Sequence, residues 1–378
     1  MFAPPEDPGH RRQLRDSVTD LARRAAPPAA IRTALAADPG FCPVRWRQMA
    51  DLGWTAVLLP EDAGGLGMAH ADLAALHQEA GRAALPEPLV AVPLLAMQAL
   101  ARGDNADLRD AVLPGLMAGE VFATLAWQGR AGALGAGAVG PRAVRAGAGW
   151  HLSGQALFVP LADVSSGHVV AADTGAGVLL AWVGAKPAVV AETRQVDGAR
   201  MATITLDGVE IGPEAVIAGP ETGAAVLDHI LDTARLAVAA ELLGGMERAF
   251  EMTLDHLKTR VQFGQPLAAF QALQHRAVGL FVQIEIARSA LLRAVAVCDD
   301  ADAAPGARVA AVSAAKARCG EVAQAVAREC IQMSGAIGYT AEYDLSLYVN
   351  RALAGAAWLG NPRAHRARWF DLHAEGVA

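Results

Sequence analysis

Residues 260–275 read Arg-Val-Gln-Phe-Gly-Gln-Pro-Leu-Ala-Ala-Phe-Gln-Ala-Leu-Gln-His. An apolar helical pattern enters this stretch from Leu236, and a second restarts behind it. Gly264 and Pro266 are expected to stop the first helix, because glycine relaxes the backbone and proline breaks the hydrogen-bond ladder. The corner between the two helices gathers one fixed cation, Arg260, with amides at Gln262, Gln271 and Gln274 and aromatic rings at Phe263 and Phe270. Guanidinium forks match phosphate oxygens, while aromatic faces and amides suit a flat heterocycle with polar edges. That is equipment for a dinucleotide, set on helices. The plainer reading of Arg260 is a cation complementing a helix C-terminal dipole.

Working outward, three regions differ in period. From residue 10 to about 120 the pattern is helical: Arg12–Arg24, ended by Pro27-Pro28, then Trp46–Leu52, Ala71–Ala84 and Leu108–Ala118. The glycine-rich Pro60–Gly67 segment between them reads as turn chemistry. From Val121 to about Ile217 short β runs take over: Phe122–Leu125, Trp150–Leu152, Ala156–Val159, His168–Ala172, Val178–Val183, Val189–Glu192 and Ala202–Leu206. Their spacing predicts a small antiparallel barrel or sandwich. Gly129–Gly149 lacks the Lys-Ser/Thr of a phosphate loop and reads as a hairpin. Helices return over Ala224–Arg260, Ala268–Cys298, Ala307–Gln332 and Asp344 to about Leu359, long enough to form a bundle. The expected fold is mainly α with a small β domain. Its divisions are 1–120 (N-terminal helical), 121–220 (middle β-barrel) and 221–378 (C-terminal four-helix bundle).

Composition narrows the function. A formal net charge of −7 argues against nucleic acid or an anionic membrane as partner. Cys42, Cys298, Cys319 and Cys330 show no paired spacing, so no disulfide framework or zinc site is expected, and a reducing cytoplasm fits. Cys319 and Cys330 fall on packing faces where inert, buried thiols are the default. The start, Met1–Arg15, is proline-rich and charged and lacks the apolar core of a signal peptide. No window approaches the ~20 apolar residues of a membrane span.

A second string, Gln332-Met333-Ser334-Gly335-Ala336-Ile337-Gly338-Tyr339-Thr340 followed by Glu342-Tyr343, stands downstream of the first. The two together closely resemble the flavin-binding segments of the acyl-CoA dehydrogenase family. Gly53-Trp54, Leu59–Gly67 and Glu79–Arg82 resemble that family's first domain, and the likeness spans essentially the whole chain. The resemblance implies α,β-dehydrogenation of an acyl-CoA or acyl-carrier-protein thioester with FAD. Arg260, Gln262, Phe263, Phe270 and Gln271 would meet the adenine-diphosphate part of a flavin held largely by a neighbouring subunit. Gln332, Met333, Ser334, Gly335 and Ala336 would meet it from the other side. A homo- or hetero-oligomer and an acceptor such as electron-transferring flavoprotein are implied as well.

The chain departs from the family pattern where the catalytic base is due. The C-terminal base position, about 17 residues beyond Glu342, falls on Leu359-Gly360-Asn361, and the isovaleryl-type position is Ala234, before Arg235-Leu236. Leu125-Ala126-Trp127-Gln128-Gly129 replaces the family's flavin loop, and Phe158-Val159-Pro160 its Trp-Ile-Thr strand. Glu241, seven residues after Ala234, returns to nearly the same helix face among apolar neighbours. There desolvation is expected to raise its pKa toward that of a working base. The alternative is a bundle carboxylate paired with an arginine such as Arg235, or packed on a neighbouring subunit. Glu247 and Glu251 read as a solvated pair, and His365 as a surface or interface residue. The tail resembles an actinobacterial branch that includes subunits of heteromeric steroid side-chain dehydrogenases and enzymes of specialised-metabolite pathways. The competing reading is therefore a non-catalytic or half-site subunit that completes the flavin site of a partner dehydrogenase.

Overall fold

The computed structural model describes residues 8–184 and 188–374; the proline-rich start over 1–7 lies outside them. In chain order come α1 (Gly9–Ala25), α2 (Pro28–Ala36), α3 (Pro43–Asp51), α4 (His70–Arg82), α5 (Gln98–Arg102) and α6 (Ala106–Met117). The strands are β1 (Ala123–Ala126), β2 (Arg142–Ala146), β3 (Gly149–Pro160), β4 (Gly167–Asp173), β5 (Val178–Val183), β6 (Ala188–Arg194), β7 (Arg200–Ile211) and β8 (Val216–Ala218). Then follow α7 (Gly223–Thr259), the two-residue strands β9 (Val261–Gln262) and β10 (Gln265–Pro266), α8 (Gln271–Asp299), α9 (Ala307–Ser334), α10 (Leu345–Ala357) and α11 (Pro362–Ala374). The chain gathers into two compact units. One holds residues 1–31, 70–85 and 235–378, and the other residues 32–69 and 86–234.

The second unit is organised by its sheet. Neighbours run β6-β7-β3-β2-β4-β5-β8, with β1 on β4. Alternation explains the inward face of β7, where Ala202, Ile204 and Leu206 are buried against Leu152, Ala156 and Val159 of β3. The purely antiparallel expectation is corrected: β1 runs parallel to β4 in the register Ala123↔Gly167 to Ala126↔Val170. Some forty residues lie between the two strands, room enough for the crossover that parallel pairing requires. Trp150–Leu152 and Ala156–Val159 are one strand rather than two. The polar residues between them sit at a register shift against β7, where the backbone bends without leaving the ladder.

The first unit is helical. α8, α9, α10 and α11 pack through α9, whose small side chains Ala315, Val322, Ala323 and Val326 are buried. α4 lies across α7 at backbone distance. A Cβ added to Gly81 would stand 2.1 Å from the carbonyl oxygen of Glu241, and one added to Gly244 would stand 1.8 Å from that of Gln78. Only hydrogen fits at either position. Asp299, the last residue of α8, fixes the start of α4 by accepting from the backbone N–H groups of His70 (2.8 Å) and Ala71 (3.0 Å).

Replacing Gly244 with alanine should therefore force α4 and α7 apart and cost about 1–3 kcal/mol, as overpacking does in other cores. Gly245, whose added Cβ meets nothing nearer than 3.6 Å, provides the control. Gly245→Ala should be neutral or gain up to about 1 kcal/mol of helix propensity. Equal denaturant midpoints for the two variants would contradict the packing described.

Candidate functional site

The close crossing of α4 and α7 decides what surrounds Glu241. His77 sits one turn before Gly81 on α4, and its Nδ1 lies 2.9 Å from Glu241 Oε1. Arg351 of α10 donates from Nη2 to Glu241 Oε2 at 3.0 Å. Arg235, the arginine considered as its mate, instead donates through Nε to the carbonyl of Leu359 at 3.0 Å. His77 is 1% exposed at its side chain, and Glu241 keeps 15% of its own accessible. Burial pushes the Glu241 carboxyl up, as the apolar neighbours led us to expect. The hydrogen bond from His77 and the charges of Arg351 and His77 outweigh it and hold the group below the usual carboxylate range. The expected rise is thus corrected: the carboxylate is desolvated but kept ionised.

Farther along the same face, Glu247 is buried rather than solvated. It accepts from Gln78 Nε2 (2.9 Å) and Arg82 Nη1 (3.2 Å) and pairs with Arg288 at 2.8 Å. Arg82 also reaches Glu251 at 2.9 Å, and the Tyr348 hydroxyl donates to the carbonyl of Arg82 at 2.9 Å. Spacing shows the charges on α7 but not the helix laid over them, so the solvated reading of Glu247 does not hold.

The corner at residues 260–275 has a different local structure from the one expected. α7 ends at Thr259, before Gly264, because residues 261–266 form a small hairpin with Gln262 opposite Gln265 and Val261 opposite Pro266. Gly264 (φ +81°) and Phe263 (φ +54°) make its turn. Arg260, Gln262, Phe263 and Gln271 are exposed, and Phe263 is 88% so. Phe263 meets Phe270 edge to face at 6.1 Å, while Gln274 turns its amide back to the carbonyl of Ala268 at 2.8 Å. At the far end of α9, Gln332, Gly335 and Ala336 are exposed, whereas Met333 and Ser334 are buried. Ser334 Oγ has no partner there. Gly335 (φ +70°) ends the helix. The ion pair Arg276–Glu329, at 3.6 Å, ties α8 to α9. Among the described residues, no hydrogen bond links the Arg260 corner to the 332–336 turn directly.

A buried cation cluster is the feature that sequence reasoning missed. Lys316 of α9, wholly buried, donates from Nζ to the carbonyls of Gly355 (2.9 Å), Ala356 (3.3 Å) and Gly360 (3.0 Å). His365 Nε2 shares the Leu359 carbonyl with Arg235, at 3.0 Å. Three basic side chains thus clamp the carbonyls at the end of α10 and just beyond it, and Leu359 is held there at φ +58°. This is the turn where the C-terminal base position fell, and it carries no acid. His365 is not on the surface. Asn361 accepts from the Ala364 N–H at 2.9 Å and starts α11 at Pro362, which turns the ring inward. Burial, then the charges of Arg235 and Lys316, press the His365 pKa down to about 2. Burial and Arg235 bring Lys316 down to about 7. Cys319 and Cys330 are buried as expected, and burial pushes their thiols up to about 12 and about 11. In the other unit, Leu125, Ala126 and Trp127 are buried, and Phe158 takes φ +54° with its ring exposed.

Comparison with known proteins agrees with the geometry. The model for the acyl-CoA dehydrogenase N-terminal domain matches residues 8–120, and that for the C-terminal domain residues 221–368. The acyl-CoA dehydrogenase IpdE2 of Mycobacterium tuberculosis is 33% identical over 365 residues, covering 96% of each chain. A 3-sulfinopropanoyl-CoA desulfinase of Paraburkholderia xenovorans is 28% identical over 361 residues, 90% of each chain. Among solved structures, a variant of the Tcur3481-Tcur3483 steroid ACAD is 30% identical, with TM-score 0.86 over 97% of this chain and 98% of that one. The ChsE4-ChsE5 complex from Mycobacterium tuberculosis superposes with TM-score 0.88 at 22% identity, over 98% of each chain, a likeness of fold.

The cation cluster should make the fold acid-sensitive. An unfolded chain protonates its histidines near pH ~6.5, whereas folded His365 stays neutral down to about 2. The unfolded state binds the proton that the fold refuses, so this contribution to stability is lost progressively as pH falls below ~6.5. The denaturant midpoint should drop between pH 7 and pH 4, and drop less in His365→Gln. An equal drop in both proteins would place the sensitivity elsewhere.

Proposed function

The chain belongs to the acyl-CoA dehydrogenase family, oxidoreductases acting on CH–CH bonds, and from that premise we propose that it removes two hydrogens across the α and β carbons of an acyl thioester, with FAD as cofactor. The thioester is carried on coenzyme A or an acyl-carrier protein. The three-part division at about 120 and 220 belongs to the same proposal. So does a cytoplasmic setting, which four free cysteines fit; no helix among the described residues is long and apolar enough to cross a membrane.

The donor set of the first unit fits the cofactor. Arg260, Gln262 and Gln271 face outward with Phe263, and the buried Ser334 Oγ is without a protein partner. These residues would hold the adenine-diphosphate part: the guanidinium on phosphate oxygens, the rings against the heterocycle, and Gln332, Met333, Gly335 and Ala336 beside Ser334 on the other side. FAD supplies the acceptor for the β hydrogen, taken as hydride. An exposed phenylalanine and a second, outward apolar stripe on α8 (Val278, Phe281, Val282, Ile286, Leu292) favour covering by another subunit. The proposal accordingly includes a homo- or hetero-oligomer, with electron-transferring flavoprotein as acceptor.

Glu241 is the proposed base. The observation that carries it is a desolvated carboxylate, held at both oxygens and still partly accessible. A base must be ionised at working pH, and the two donors secure that. They also lower its basicity, at about 1.4 kcal/mol for each pKa unit. The protein must recover that difference by hydrogen-bonding the thioester oxygen where enolate charge develops and by excluding water around it.

Purified protein should be yellow, and its flavin should bleach when an acyl-CoA is added without oxygen. Protein that stays colourless until a homologous subunit is co-expressed would instead favour the half-site role. Glu241→Gln should keep the flavin and lose its reduction by at least about a hundredfold; retained reduction removes Glu241 as base.

A further inference from the structure

We infer that His77 is a positioning residue for the Glu241 carboxylate: its ring, carried in by α4, holds Oε1 opposite the Arg351 guanidinium on Oε2, so that the carboxylate can take a proton only on its remaining lone pairs. This rests on the reading of Glu241 as base.

The geometry is built from the backbone up. α4 is tied to α8 at its start by Asp299 and pressed on α7 at Gly81 and Gly244, so the helix cannot slide. His77, at 1% side-chain exposure, is enclosed by packed neighbours. A ring nitrogen facing a carboxylate carries the hydrogen, which makes Nδ1–H the donor. Ionised, a carboxylate offers about four lone-pair sites. His77 and Arg351 occupy one on each oxygen, at 2.9 and 3.0 Å, and rotation about the terminal bond would break both contacts. Arg351 already pairs with the carboxylate at Oε2. A second donor brought in from a distant helix adds direction at the other oxygen.

The same contact sets when the base is ready. The titratable and charged groups facing Glu241 are His77 from α4 and Arg351 from α10; among the described residues no acid pairs with it. Burial raises the carboxyl, and the His77 hydrogen bond is the foremost opposing cause. Removing that donor should leave burial opposed mainly by Arg351, and the carboxyl should then hold its proton to higher pH.

The test is an infrared titration of the Glu241 carboxyl band, assigned by its loss in Glu241→Gln, on full-length protein without added substrate. In His77→Leu the midpoint should move up by about one pH unit or more, as loss of a hydrogen bond to the charged form does. In His77→Asn, whose amide nitrogen can stand where Nδ1 stood, it should stay near the original value. The acid limb of the pH profile for flavin reduction should move with it. An unmoved midpoint in His77→Leu overturns the inference and leaves His77 as packing alone. Should His77→Leu not fold, His77→Gln, whose amide ends farther from the backbone, is read in its place with the same upward shift expected. Retained flavin reduction in Glu241→Gln would instead sink the base assignment, an outcome separate from any shift caused by His77.

Discussion

Two helices meeting with no side chain between them impose the arrangement around Glu241. At Gly81 and Gly244 the backbones of α4 and α7 approach so closely that a methyl group would overlap a carbonyl oxygen. That contact fixes the rotation and height of α4 against α7. From that position His77 reaches Glu241 and Gln78 reaches Glu247. The polar network is a consequence of the steric one. A buried carboxylate would otherwise raise its pKa or be excluded from the core.

The first unit uses buried charge in two ways. Around Glu241 an acid is compensated by donors from two other helices, and it stays ionised. Around residues 355–360 three basic side chains have backbone carbonyls as acceptors, while burial and their neighbouring charges lower the pKa of Lys316 and His365. The second arrangement leaves the α10–α11 turn without an acid and with the carbonyls of Gly355, Ala356, Leu359 and Gly360 engaged. That turn therefore has no carboxylate to abstract a proton, whereas α7 carries Glu241, the base proposed above.

Local signals in the sequence were reliable where local physics decides. The β5 strand is found over Val178–Val183 as read, and α9 begins at Ala307 as read, because alternation and the Pro305-Gly306 break act within a few residues. Pro28 reads as a stop after the first helix, yet proline at a first helical position starts one, and α2 begins there; α11 likewise begins at Pro362, beyond the last helix read from the sequence. The residues of the nucleotide corner were legible as a string, but the hairpin that carries them was not. The largely apolar setting of Glu241 was legible from its neighbours. Its partners were not, since His77 lies 164 residues away and Arg351 110, and no spacing rule connects positions so far apart. Gly81, Gly244 and Gly245 were the available hint, small residues at a helix crossing. Lys316 gave none beyond being a single lysine among alanines.

The central claim is that Glu241 takes the α proton, and exchange at that carbon tests it without the redox step. An acyl-CoA with sulphur in place of its β carbon cannot lose a hydride, so only proton abstraction remains. The native protein in heavy water should exchange the α hydrogens of such a compound for deuterium, and Glu241→Gln should do so at least about a hundredfold more slowly. Equal exchange in the two proteins would contradict the account.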